Sequence, residues 1–101
     1  MVFIETPMFT RQATGDLFSD EELIQLQVEL IENPNRGELI VGSGGLRKLR
    51  VAGNGRGKSG GFRVIYYVAT AESFFLLLAY AKNRKDSLTK SEIAVLRQLI
   101  D

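Results

Sequence analysis

A chain of 101 residues, 45% apolar and 25% charged, has the size and composition of one folded domain with a single modest core. It contains no cysteine and no histidine, which removes disulfides, thiolate metal sites, the commonest metal ligand and the usual general base together. The net charge of +1 conceals a division: residues 1–38 carry two basic and eight acidic side chains, whereas 39–101 carry eleven basic and four acidic.

Residues 2–4 are a short apolar run that predicts a first strand. The opening MVFIETPMF lacks the basic, then long apolar pattern of a leader, and the longest apolar run, 74–81, is too short to span a bilayer. A soluble, cytoplasmic protein is the expectation. Thr6-Pro7 reads as an N-cap followed by proline at the first helical position, with Gly15 as a stop, predicting a short helix over about 7–14. Ser19-Asp20-Glu21-Glu22 is a capping box, and Phe18 and Leu23 are spaced to close a hydrophobic staple over it. Leu23, Ile24, Leu26, Val28, Leu30 and Ile31 carry that helix to about Glu32, where Asn33-Pro34 ends it.

A glycine-rich connection, Gly42-Ser43-Gly44-Gly45, leads into a predicted strand over 46–51, which sends Lys48 and Arg50 to one face and Leu49 and Val51 to the other. Residues 62–69 and 73–81 predict two further strands joined by a tight hairpin at Thr70-Ala71-Glu72. The run Phe74-Phe75-Leu76-Leu77-Leu78 is apolar on both faces, so that strand should be central and covered on both sides. Thr89-Lys90-Ser91-Glu92 is a second capping box with Leu88 and Ile93 as its staple, and Ile93, Leu96, Leu99 and Ile100 line one face of a closing helix. The predicted order is β-α-α-β-β-β-α. It describes one α+β domain over 1–101, a small, mainly antiparallel sheet packed with helices.

Residues 44–66, GGLRKLRVAGNGRGKSGGFRVIY, hold Arg47, Lys48, Arg50, Arg56, Lys58 and Arg63 among glycines, with no acidic residue between Glu38 and Glu72. So many neighbouring cations repel unless an anion offsets them, which points to a polyanionic partner, nucleic acid first. The competing reading is a solvated basic hairpin loop. Within this stretch AGNGRGKS, residues 52–59, nearly spells a phosphate-binding P-loop, but that loop must open directly into a helix, and here Gly60-Gly61 and a strand pattern follow. Nucleotide hydrolysis is not expected. The glycines better fit a loop whose backbone can approach a phosphodiester chain closely.

In simple register Lys48 and Arg50 share a sheet face with Arg63, Ile65 and Tyr67, and Lys82 emerges at the end of the last strand, ahead of Asn83-Arg84-Lys85. Ordinary cross-strand pairing on a solvated face would account for Arg63 and Tyr67, and an exposed strand end for Lys82. If the face meets RNA, cleavage needs a base for the 2′-hydroxyl, charge stabilisation for the phosphorane and an acid for the leaving 5′-oxygen. Lysine, arginine and tyrosine are what remains for those roles. A free lysine titrates near ~10.4 and neighbouring cations lower that value.

Three stretches carry a family resemblance: G-G-L-R-K-L-R at 44–50, G-x-G-K-x-G-G-x-R-x-I-Y-Y at 55–67 and Y-A-K-N at 80–83. On these the chain resembles the RelE/ParE superfamily of bacterial type II toxins, within it the HigB-like branch, over essentially its whole length. The resemblance implies a ribosome-dependent endoribonuclease that cuts translated mRNA without a metal or other cofactor. Its partners would be the ribosome, mRNA and a cognate antitoxin encoded next door, expected to be a DNA-binding protein. Residue by residue, it makes Lys48 and Arg50 the strand cations of the active face, Arg63 the contact to the scissile phosphate and Lys82 the basic residue closing the site. Arg47, Arg56, Lys58, Arg84 and Lys85 are then expected to hold RNA or ribosome. Two positions depart from the RelE pattern: Asn83 stands where a further arginine is found, and Leu88-Thr89 offers no tyrosine. The acid and base stay open among Lys48, Lys82, Tyr67 and Tyr80. A ParE-like toxin that binds DNA gyrase, or a domain that binds RNA without cutting it, are the alternatives.

Overall fold

In a computed structural model the chain is described over residues 2–13, 18–51, 61–81 and 87–100. The elements in chain order are β1 (Val2–Glu5), α1 (Pro7–Gln12), α2 (Asp20–Glu32), β2 (Glu38–Leu39), β3 (Arg47–Val51), β4 (Phe62–Thr70), β5 (Ser73–Ala81) and α3 (Lys90–Ile100). The fold is α+β, with one correction to the predicted order: the two-residue β2 stands between α2 and β3. A strand that short leaves no alternation for sequence to reveal. The first helix is described to Gln12 with Ala13 as its C-cap, and Thr14 and Gly15 lie outside the described residues.

Each helix begins where its capping chemistry sets it. Thr6 Oγ1 accepts from Phe9 N at 3.0 Å and donates to the Leu77 carbonyl at 2.8 Å, so one hydroxyl both caps α1 and ties it to β5. Ser19 and Glu22 form the reciprocal pair ahead of α2, at 3.1 and 2.8 Å. Thr89 and Glu92 repeat it ahead of α3, at 3.1 and 2.9 Å.

The five strands form one mixed sheet in the order β1-β5-β4-β3-β2, with β1 parallel to β5 and the remaining neighbours antiparallel. β5 lies between β1 and β4, and Phe74 and Leu76–Tyr80 are buried along it, as its two-sided apolar pattern requires. On one face Leu26 and Leu30 of α2 pack with Phe9, Leu49, Val64 and Phe74. On the other, Leu96 of α3 packs with Leu46, Ile65, Leu77, Leu78 and Tyr80. Ile65 pairs with Leu78 and Tyr66 with Leu76, so Leu77 is an extra residue, a β-bulge that puts Leu77 and Leu78 on the same α3 side. Leu99 departs from the expected buried stripe of α3: it is 51% exposed, while Leu96 alone in that helix is buried.

The glycine-rich connection is the turn of a β2–β3 hairpin. Ile40 N donates to the Leu46 carbonyl at 2.9 Å, and Ser43 Oγ donates to the Ile40 carbonyl at 2.6 Å and accepts from Leu46 N at 3.0 Å. Gly42 and Gly44 take φ of 74° and 77°, a region that side chains other than glycine adopt only with strain.

The chain between α2 and β2 is latched from beneath. Tyr66 is fully buried; its hydroxyl donates to the Pro34 carbonyl at 2.8 Å and accepts from Gly37 N at 2.9 Å. Arg47 Nη1 donates to the Gly37 carbonyl at 2.7 Å. Gly37 has no room for a side chain, since a Cβ there would lie 2.8 Å from the Tyr66 ring. This latch fixes where Arg36 and Glu38 stand.

Candidate functional site

Antiparallel register decides which cations meet. Arg50 pairs with Arg63, and Arg63 with Tyr80, so β3, β4 and β5 contribute one side chain each to a cross-strand row. The next row is Lys48, Ile65 and Leu78. Ile65, Leu78 and Tyr80 belong to the core on the α3 side, which places Lys48, Arg50 and Arg63 on that face. Neighbouring strands are about 5 Å apart, so the two arginines of the first row stand side by side.

Their surroundings differ. Arg50 is exposed and Lys48 half-buried, whereas Arg63 is 5% exposed and donates from Nη1 to the Phe62 carbonyl at 3.2 Å. A guanidinium stripped of most of its water is held by protein groups and arrives at an anion already oriented.

Two expected site residues stand elsewhere. Arg47 falls on the α2 face of β3, with Nη1 bonded to the Gly37 carbonyl at 2.7 Å and to that of Asn35 at 3.3 Å; it braces the latch instead of facing the row. Tyr67 shares the face of Arg63 but sits four residues along β4, roughly 13 Å away at strand rise. Its ring packs on Phe75, centroids 6.2 Å apart, and crowds Gly45. The tyrosine in the arginine row is Tyr80, 7% exposed. Lys82, Arg56, Lys58, Arg84 and Lys85 lie outside the described residues. β4 begins at Phe62, so a strand and not a helix takes up the chain after the P-loop-like stretch.

Two residues not singled out from sequence join the site. β2 pairs with β3 at Glu38–Lys48 and Leu39–Arg47, and among the described residues no further strand pairs along the rest of that β3 edge. Past the end of β2 is a shallow depression of about 220 Å³ lined by Arg36, Glu38, Lys48, Leu49 and Arg50. Glu38, opposite Lys48 in register, faces the same side of the sheet. Arg36 also pairs through Nε with Glu29 Oε2 at 3.5 Å, an exposed ion pair worth little by itself. The readable signal was the mirror arrangement of Glu38-Leu39-Ile40 and Leu46-Arg47-Lys48 about the glycine turn.

The arrangement gathers three cations and one carboxylate at a sheet edge, with a buried arginine one strand further in. It can bind a phosphodiester backbone and offer a proton acceptor beside it. Among the described residues no three Asp or Glu side chains are grouped so that they could hold a metal ion.

Compared with known proteins, the sequence matches over residues 1–101 the family described as RelE toxin of RelE / RelB toxin-antitoxin system. The chain belongs to the RelE toxin family. It is therefore the toxin of a type II toxin–antitoxin system, and an antitoxin is its partner. RelE toxins are generally endoribonucleases. Among the described residues no helix is long and apolar enough to cross a membrane.

Proposed function

We propose that this RelE-family chain is a metal-independent endoribonuclease of the HigB-like branch that cuts translated mRNA when the ribosome presents it. One observation carries the proposal: Lys48, Arg50 and Arg63 come from two strands onto a single sheet face. The cations bind and polarise the scissile phosphate, and the 2′-hydroxyl beside it is the attacking group. Arg63 is the principal donor to the phosphorane and Arg50 and Lys48 hold the flanking phosphates, with Lys82 the further cation that the family resemblance assigns to the reaction. The depression is shallow and open at the sheet edge, so it does not fix an RNA strand by shape; alignment of the reacting atoms comes from the ribosome.

A translation reaction run with and without the purified protein tests this. New mRNA 5′ ends within translated frames, absent when the same RNA is supplied naked, are expected. Rapid cutting of naked RNA would overturn the ribosome requirement. No cutting in either setting would overturn the nuclease assignment in favour of a gyrase-binding toxin or an inert RNA binder.

A further inference from the structure

We infer that Glu38 is the proton acceptor for the 2′-hydroxyl, an inference that rests on the nuclease assignment above. The chain has no histidine, and lysine in its ordinary state is protonated at neutral pH. A carboxylate is the remaining side chain that accepts a proton there without prior tuning, since free glutamate titrates near ~4.3. Between Leu39 and Ala71 the sequence has none. The β2–β3 hairpin supplies one from outside that stretch by folding Glu38 back onto the cationic face.

The placement is specific. Glu38 is the register partner of Lys48 and lines the same depression as Lys48 and Arg50. Among the described residues, the charged groups that line the depression with it are Lys48 and Arg50 from β3 and Arg36 from the chain before β2, the last also paired with Glu29 of α2. Three cations around one carboxylate leave the depression net positive, so it still attracts a phosphate while holding a base beside it. Glu38 is exposed, which leaves it open to a substrate. Its backbone is fixed, because the Tyr66 and Arg47 bonds at Gly37 anchor the preceding residue.

Glu38 takes the proton of the 2′-hydroxyl as its oxygen bonds to the adjacent phosphorus. The bond from phosphorus to the 5′-oxygen breaks, and that oxygen takes a proton from water. The products are a 2′,3′-cyclic phosphate and a 5′-hydroxyl, and Glu38 returns its proton to solvent.

The test is single-turnover cleavage of ribosome-bound mRNA across pH, comparing the parent with Glu38→Gln, Glu38→Asp and Arg63→Ala. General-base loss typically costs about 10²–10⁴ in rate, so Glu38→Gln should fall by about that factor. It should bind ribosomes at least as well as the parent, having lost a negative charge among cations. It should also lose the rise of rate with pH that the parent shows on the acid side, and Glu38→Asp should recover part of the rate with that rise intact. An unchanged unfolding midpoint in Glu38→Gln separates chemistry from folding. Glu38→Gln cutting at the parent's rate, or keeping the parent's pH profile, overturns the role of Glu38 while leaving the nuclease assignment standing. A parent that does not cut overturns both.

Discussion

Arg63 carries a full charge at 5% exposure, so its value lies in being oriented before substrate arrives. Removing one preorganised donor to a developing charge typically costs about 10²–10³ in rate. Arg63→Ala should lose cleavage, and with it growth arrest, by about that factor. Arg63→Lys should fall between, keeping the charge without the planar fork. Growth arrest by Arg63→Ala equal to the parent's at matched expression would count against the role. Tyr66 makes a separate prediction. Burial pushes its hydroxyl above the ordinary value of 10, outweighing the Gly37 bond and the nearby Arg47 charge, which pull it down. The folded state thus keeps this proton longer than the unfolded chain. The contribution is complete below about pH 10 and is lost as pH climbs through the raised value. Denaturant unfolding of Tyr66→Phe should lack that alkaline component. At neutral pH it should be less stable by about 1–3 kcal/mol, because Pro34 O and Gly37 N lose their partner.

At the scale of elements, the latch sets the position of β2 and hence of Glu38. Gly37→Ala would drive a methyl to 2.8 Å from the Tyr66 ring and 3.0 Å from the Lys48 carbonyl. It should lower the melting temperature and cleavage together, and a variant with the parent's melting temperature would show that the chain there yields freely. Ser19→Ala, which removes the α2 cap far from the cationic face, should cost about 1 kcal/mol and leave the cleavage rate per folded molecule unchanged. The contrast between these two regions shows where sequence was readable. α2 has a capping box, a sustained helical period and an Asn33-Pro34 stop, all local, and its limits follow. β5 declares its central place by apolar residues on both faces. β2 has two residues and no period, and β1 pairs in parallel with a strand roughly 70 positions away, which no local pattern encodes. The bulge at Leu77 is hidden for the same reason: five consecutive apolar residues look alike in either register.

Among the described residues the acidic helix and the strand cations of the sheet stand apart. The acidic helix α2, with Asp20, Glu21 and Glu22 in its first turn, covers one face of the sheet, and Lys48, Arg50 and Arg63 stand on the other. The cationic partner surface was legible as composition, and its strand face from alternation at Lys48, Arg50 and Arg63. What alternation could not show was that Arg47 turns inward to the latch, that Tyr80 and not Tyr67 completes the arginine row, and that Glu38 returns to the neighbouring row opposite Lys48; each depends on pairing between strands. Association with ribosomes should weaken with salt, and Lys48→Ala and Arg50→Ala should each reduce the slope of log affinity against log salt by about 0.7–0.9. Slopes equal to the parent's would place the polyanion elsewhere.

The most direct test of RNA cleavage at this face is to identify the ends it leaves on ribosome-bound mRNA, using a message with one 2′-O-methyl nucleotide at the mapped cut. Attack by the 2′-hydroxyl predicts a 2′,3′-cyclic phosphate and a 5′-hydroxyl on unmodified mRNA, and no cut at the methylated position. A 5′-phosphate product, or cleavage at the methylated nucleotide, would contradict it.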